Sequence, residues 1–239
     1  MGTLDPYDAA AGLARVDSFL SDLAPGAGDA SAAEVSWAGS VIVAELRVAP
    51  AVAQRNGAEQ AALHQAWSSE MITVLTDPRI RRIETMGDRL WAIYATRTDA
   101  DVAAVFDLAG RANALRWVIN TALHRHGQEP IDAGLGVEYG QLTRAAAVGE
   151  AGGNLTFIGE PIARAEQLAE RAGHGSPAPI WYGSDFAGHL DDHRRQLLTE
   201  PVDWGDGGRV YTGNVVDQQT FAWIEEQAGA RSADDPTES

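Results

Sequence analysis

Ile83-Glu84-Thr85-Met86-Gly87-Asp88-Arg89-Leu90 decides how this chain folds. A strand-like run, Arg79 to Thr85, enters the Gly87-Asp88 pair, and a second run, Leu90 to Thr96, leaves it. A glycine-acid pair between two such runs is a hairpin signal, because glycine supplies the backbone freedom that a tight turn demands. The turn sets one carboxylate, Asp88, at a rigid hairpin tip. Upstream, Ser40 to Val48 reads as a short apolar strand interrupted by one acid, Glu45. Alone, Asp88 reads as turn chemistry and Glu45 as a strand-end acid. Together they match a two-metal phosphoryl-transfer site, where carboxylates bridge ions about 3.5–4 Å apart.

Working outward, the periodicity predicts a long helix over about 50–75 before the hairpin and another over Asp99–His126 after it. Strands follow at Ile131–Tyr139 and Leu142–Val148, with a break expected at Gly140. Next come a short strand at Leu155–Ile158, a helix at Pro161–Ala172, a strand at Pro179–Tyr182 and a short helix at Ser184–Leu190. A strand at Val210–Val215 and a helix at Gln218–Gln227 close the pattern. This order predicts an α+β, ferredoxin-like plan with additions. Residues 1–33 are expected to form an amphipathic helix, with Leu13, Val16, Phe19, Leu20 and Leu23 on one face, and a small-residue linker. The main domain is expected over 34–228, and the acidic tail 229–239 is expected to be disordered.

Composition narrows the chemistry. The 239 residues contain no cysteine, which removes thiolate catalysis and cysteine-ligated zinc. Net charge is −16, and all 18 basic residues are arginine. Such a chain repels nucleic-acid backbones and anionic membranes, so neither is an expected partner. Any phosphate contact must come from arginine, a helix N-terminus or a metal. No apolar run approaches the roughly 20 residues that span a bilayer, and a cytoplasmic protein is expected.

The motifs fall in a familiar order. A strand carries an acid, then come Glu84-Thr-Met-Gly-Asp88, Asp132-Ala-Gly-Leu-Gly-Val-Glu-Tyr-Gly140 and Leu155-Thr-Phe-Ile-Gly-Glu-Pro-Ile-Ala-Arg-Ala-Glu-Gln-Leu168. Over roughly residues 38–190 this resembles the class III nucleotidyl cyclase domain. Gly153-Asn-Leu-Thr-Phe-Ile-Gly159 and Val210-Tyr-Thr-Gly-Asn-Val-Val216 resemble the bacterial pyrimidine cyclases of Pycsar anti-phage signalling. The resemblance implies a nucleoside triphosphate substrate, two Mg²⁺ (or Mn²⁺) ions, and sites shared between two subunits of a homodimer, or of a heterodimer. It also implies a cyclic nucleotide product read by a downstream effector.

Residue by residue, the resemblance implies metal binding by Glu45 and Asp88. The family has Asp at the first position, so Glu45 is one methylene too long. Glu84 and Thr156 match the base-facing positions. A carboxylate only accepts hydrogen bonds, so Glu84 suits the N–H groups of guanine, uracil or cytosine better than adenine N1. That leaves a guanylate cyclase open beside a pyrimidine cyclase. Two transition-state positions of the family helix hold Ala163 and Gln167, neither of which carries the family's function. Arg164 and Arg171 on the same helix are candidates to supply the missing charge, or else form surface pairs with Glu160, Glu166 or Glu170. Arg209 resembles the late basic residue that holds terminal phosphates, and Arg47 is an alternative. These departures motivate a second reading, a catalytically degenerate nucleotide-binding or heterodimer-partner domain.

Overall fold

The computed structural model describes residues 35–53, 57–149, 152–172, 178–205 and 208–234, together with Leu13, Ala14, Val16 and Asp17, which are helical. The rest of the expected N-terminal helix and linker lies outside the described residues, as does 235–239. The described chain falls into two compact units. One holds Thr143–Phe157; the other holds Ser36–Leu142 and the chain from Ile158 onward.

In the larger unit, β1 (Val35–Val48) is followed by α1 (Pro50–Ala53), α2 (Gly57–Leu75), and the hairpin β2 (Ile80–Met86) and β3 (Arg89–Ala95). After α3 (Asp99–Arg125), β4 runs from Ile131 into the smaller unit as far as Gly149, where it pairs with β5 (Gly152–Ile158). Then come α4 (Glu160–Arg171), β6 (Ile180–Gly183), α5 (Ser184–Gly188), α6 (Asp192–Arg195), β7 (Val202–Asp203), β8 (Arg209–Gly213) and α7 (Gln218–Asp234). The sheet order is β2-β3-β1-β4-β6-β8-β7, with β4 and β6 parallel across the α4 crossover. The mixed sheet with helices on it bears out the α+β plan.

Val41, Ile42, Val43 and Ala44 are all fully buried, so β1 is covered on both faces and shows no polar alternation. One face packs Ile42, Ala44 and Leu46 into a core with Trp67, Met71 and Leu75 of α2 and Val105, Phe106 and Ala109 of α3. Thr98 and Asp101 cap α3 reciprocally, which fixes where it starts. The other face carries α4, seated on the sheet backbone. A Cβ at Gly136 would stand 2.0 Å from the Ala165 carbonyl oxygen, and one at Gly134 would stand 2.5 Å from that of Ala169. Glycine at these two positions lets the helix lie directly on the strand.

The structure corrects several boundaries. Gly140 does not break the strand: β4 is continuous, and a Cβ there would meet the Pro161 ring at 2.7 Å. That glycine makes room for the start of α4 rather than a turn. The helix expected over 50–75 is two helices, with 54–56 outside the described residues. Helix α6 and strand β7 were not expected, and α7 continues to Asp234, into the stretch read as disordered.

Candidate active site

The predicted hairpin closes as read, with Gly87 at a φ of 59°. Glu45 stands opposite Arg89 in the β1–β3 register, and the Leu46 N–H donates to the Asp88 carbonyl oxygen at 2.8 Å. Glu45 and Asp88 are therefore brought together along the backbone. Their side chains are engaged separately. Arg89 Nε donates to Glu45 Oε2 at 2.9 Å, and Arg47 Nε lies 3.8 Å from Oε1. Asp88, on the exposed tip, has His64 Nε2 at 3.3 Å. Among the described residues no three acids or histidines converge as a metal cage. Mg²⁺ commonly takes one or two carboxylates and completes its shell with water and substrate phosphates, so a pair of acids is of the donor type such an ion uses.

Arg47 is held against α4 through one guanidinium nitrogen. One of its terminal nitrogens donates to the carbonyl oxygens of Ala169 (2.7 Å) and Glu170 (2.9 Å), capping the C-terminal end of α4. Burial pulls its pKa below the usual arginine value, with Glu45 opposing the shift. Arg209 is exposed at the far side of the sheet, paired in register with Asp203 of β7, so one chain does not bring it near its own Glu45. Thr156 is exposed on β5, within the smaller unit. Glu84 is exposed on β2, the sheet's edge strand, where Arg82 Nε donates to it at 2.7 Å.

Helix α4 is where expectation and structure diverge most. The guanidinium groups of Arg164 and Arg171 share one aromatic partner that the helix spacing did not announce. Both guanidinium groups lie over the Trp204 ring, at 5.0 and 5.3 Å from its centre, and Trp181 meets that ring edge-on at 5.3 Å. On the opposite flank of the helix, Glu166 accepts a 2.6 Å hydrogen bond from the indole N–H of Trp91 on β3. Two tryptophans thus pin α4 from its two sides, and the exposed Ala163 and Gln167 lie between them.

Sequence reasoning passed over Glu138. That acid sits in the middle of β4, 7% exposed, and accepts hydrogen bonds from the N–H groups of Tyr139 (2.9 Å) and Phe186 (3.2 Å). Burial pushes its pKa to about 7, against the pull of those two bonds. Arg164 Nε is 4.0 Å away. Gly183 passes so close that any Cβ there would overlap the Glu138 carboxylate. A groove of about 730 Å³ opens beside it, bordered by Tyr139, Glu160, Arg164 and Asp185. The available signal was a lone acid inside an otherwise apolar strand, Leu135-Gly-Val-Glu-Tyr139.

The chain has the class III nucleotidyl cyclase fold. Structures similar to it include the guanylyl cyclase Cya2 (TM-score 0.63, 14% identity, 75% of this chain and 92% of that one). The adenylyl cyclase CyaB from P. aeruginosa is similar too (TM-score 0.61, 16% identity, 77% and 96%). In sequence, the chain is similar to a uridylate cyclase of Treponema porcinum, 23% identical over 197 residues, which is 81% of this chain and 69% of the relative. The resemblance to pyrimidine cyclases read from the motifs is borne out by that relative. No protein-family model matches.

Proposed function

We propose that the chain is a pyrimidine nucleotidyl cyclase, turning UTP or CTP into the 3′,5′-cyclic monophosphate and pyrophosphate. Similarity to a uridylate cyclase along most of the chain carries this reading. Glu84 agrees with it, since an acceptor-only side chain can take the N3–H of uracil or the exocyclic amine of cytosine. In the reaction the ribose 3′-oxygen bonds to the α-phosphorus as the bond to the β-phosphate bridging oxygen breaks. Glu45 and Asp88 would hold Mg²⁺ or Mn²⁺, which supplies charge neutralisation on the triphosphate. Arg89, released from Glu45, is then a cation adjoining the phosphates, in a chain whose family helix offers Ala163 and Gln167 instead of charge.

The same reading makes the active species a homodimer, with exposed Ala163 and Gln167 facing the partner's substrate. Its cyclic product would act as an anti-phage messenger for a downstream effector in the cytoplasm. Among the described residues no helix is long and apolar enough to cross a membrane. A second reading, a degenerate domain that binds nucleotide or completes a heterodimer, is favoured by one observation: Glu45 is already neutralised by two arginines.

The deciding experiment incubates purified protein with each of the four nucleoside triphosphates and Mg²⁺ or Mn²⁺, resolving products by mass spectrometry. Cyclic UMP or cyclic CMP is expected. Cyclic GMP alone would make it a guanylate cyclase, and no cyclic product at all would favour the degenerate domain.

A further inference from the structure

Glu84 and Trp91 are cross-strand partners in the β2–β3 register. Directly opposed residues share a sheet face with Cβ atoms about 4.5–5.5 Å apart, so the two side chains rise side by side from the sheet. Arg82 occupies the side of Glu84 along its own strand. The indole is fixed at its far end, where its N–H donates to Glu166 on α4 at 2.6 Å. Glu166 in turn directly precedes the exposed Gln167. Trp91 therefore spans from the hairpin to the helix, and swinging aside would break its 2.6 Å hydrogen bond to Glu166.

From this geometry we infer that Trp91 is the specificity-determining wall of the base site, admitting a one-ring base beside Glu84 and excluding the second ring of a purine. The inference rests on reading Glu84 as the base-recognising acid and deepens the proposed function. Glu84 by itself accepts equally from guanine, uracil or cytosine, so hydrogen bonding leaves ring size undetermined. Discrimination of that kind needs a repulsive element as well as an attractive one. A tryptophan anchored at both ends supplies it. A base that reaches Glu84 lies against the indole, and a fused ring extending past that point meets the indole or Glu166.

The test compares wild type with Trp91→Ala, Trp91→Tyr and Glu166→Leu, using UTP, CTP, ATP and GTP both as substrates and as competitors of a fluorescent nucleotide. Trp91→Ala should raise the purine-to-pyrimidine ratio of kcat/KM by roughly 10–200-fold, the range open to a steric pocket, chiefly through the purine KM. Trp91→Tyr should keep the wild-type ratio. Glu166→Leu, which leaves the core untouched, should shift it the same way as Trp91→Ala but less. An equal loss of affinity for all four nucleotides would make Trp91 a stacking platform, which tolerates any base, and would overturn the wall. An unchanged ratio in Trp91→Ala would overturn it as well. If wild type forms no cyclic product, the proposed function fails, yet the competition assay still reads the wall: a purine affinity gained in Trp91→Ala upholds it, and none gained refutes it.

Discussion

Glu45 at the end of β1 and Glu138 in the middle of β4 are both poorly exposed acids on one sheet, with side chains 14% and 9% accessible. Their surroundings differ. Glu45 lies between Arg89 at 2.9 Å, whose side chain is about one-third exposed, and Arg47 at 3.8 Å, which carbonyl oxygens of α4 hold in place. Glu138 has backbone N–H groups and a guanidinium no nearer than 4.0 Å, and burial pushes its pKa to about 7. An acid paired with a part-exposed arginine can exchange that cation for another. An acid locked by backbone donors and a close-packed glycine can change only its protonation. The strand end holds an acid in a charge pair that can open, and the middle of the sheet holds one enclosed by packing.

The largest expected effect tests the exchangeable end. Asp88→Ala should lower cyclase turnover by at least the roughly 10²–10³-fold that follows loss of a charge-stabilising group. Mg²⁺ should raise the melting temperature of wild type, since a ligand binding the folded state alone stabilises it, and Asp88→Ala should abolish that rise. Glu138→Gln should keep that rise. Glu45→Asp should enlarge it, because a shorter arm pulls away from Arg89 and matches the family's acid. A metal-dependent shift that survives in Asp88→Ala would remove the hairpin tip from the metal site and break the comparison.

The two regions were not equally legible. The Gly87-Asp88 hairpin and the acid-bearing strand before it follow from local rules, because a turn and a strand declare themselves within a few residues. Helix α4 was legible in its place, but not in what its flanks do. Arg164 has Glu160 one turn back, a spacing that favours pairing, whereas Arg171 has Gln167 there. The ring that holds the arginines instead is Trp204, which arrives from a loop beyond β7 and has no local signature. Gly140 misled for a related reason: glycine in a strand signals either a turn or a close approach, and the approaching group, Pro161, is supplied by packing.

The next effect reads the locked acid through pH. With its folded pKa raised from the ordinary 4.5 to about 7, Glu138 keeps its proton in the native state over a range where the unfolded chain has lost it. The native state then binds more protons than the unfolded one, so this group makes stability fall as pH rises from about 4.5 to about 7, and level off above. Glu138→Gln keeps a carbonyl oxygen for the Tyr139 and Phe186 N–H groups and removes the titration. Urea unfolding at pH 4 and pH 8 should show the variant gaining on wild type by up to ~3 kcal/mol at the higher pH. Equal pH profiles would mean that Glu138 is ionised in the fold and balanced by Arg164, like Glu45 by its own arginines.

The smallest effect concerns the tryptophan that keeps those two situations distinct. Trp204 takes both Arg164 and Arg171 onto its ring and meets Trp181 edge-on. Cation–π contacts at partly exposed sites contribute about 0.5–1 kcal/mol each, so Trp204→Ala should destabilise the domain by roughly 1–2 kcal/mol, and Trp204→Tyr by less. The more telling readout is indirect. Freed from the ring, Arg164 can close the 4.0 Å gap to Glu138 and favour its ionised form. The pH window of the Glu138 effect should then move to lower values in Trp204→Ala, measured as the difference between that variant with and without Glu138→Gln. A shifted window would show that an aromatic ring, by holding an arginine back, keeps the acid in the middle of the sheet unlike the one at its end. If stability falls while the window stays in place, Trp204 packs α4 and does not govern the charge beneath it.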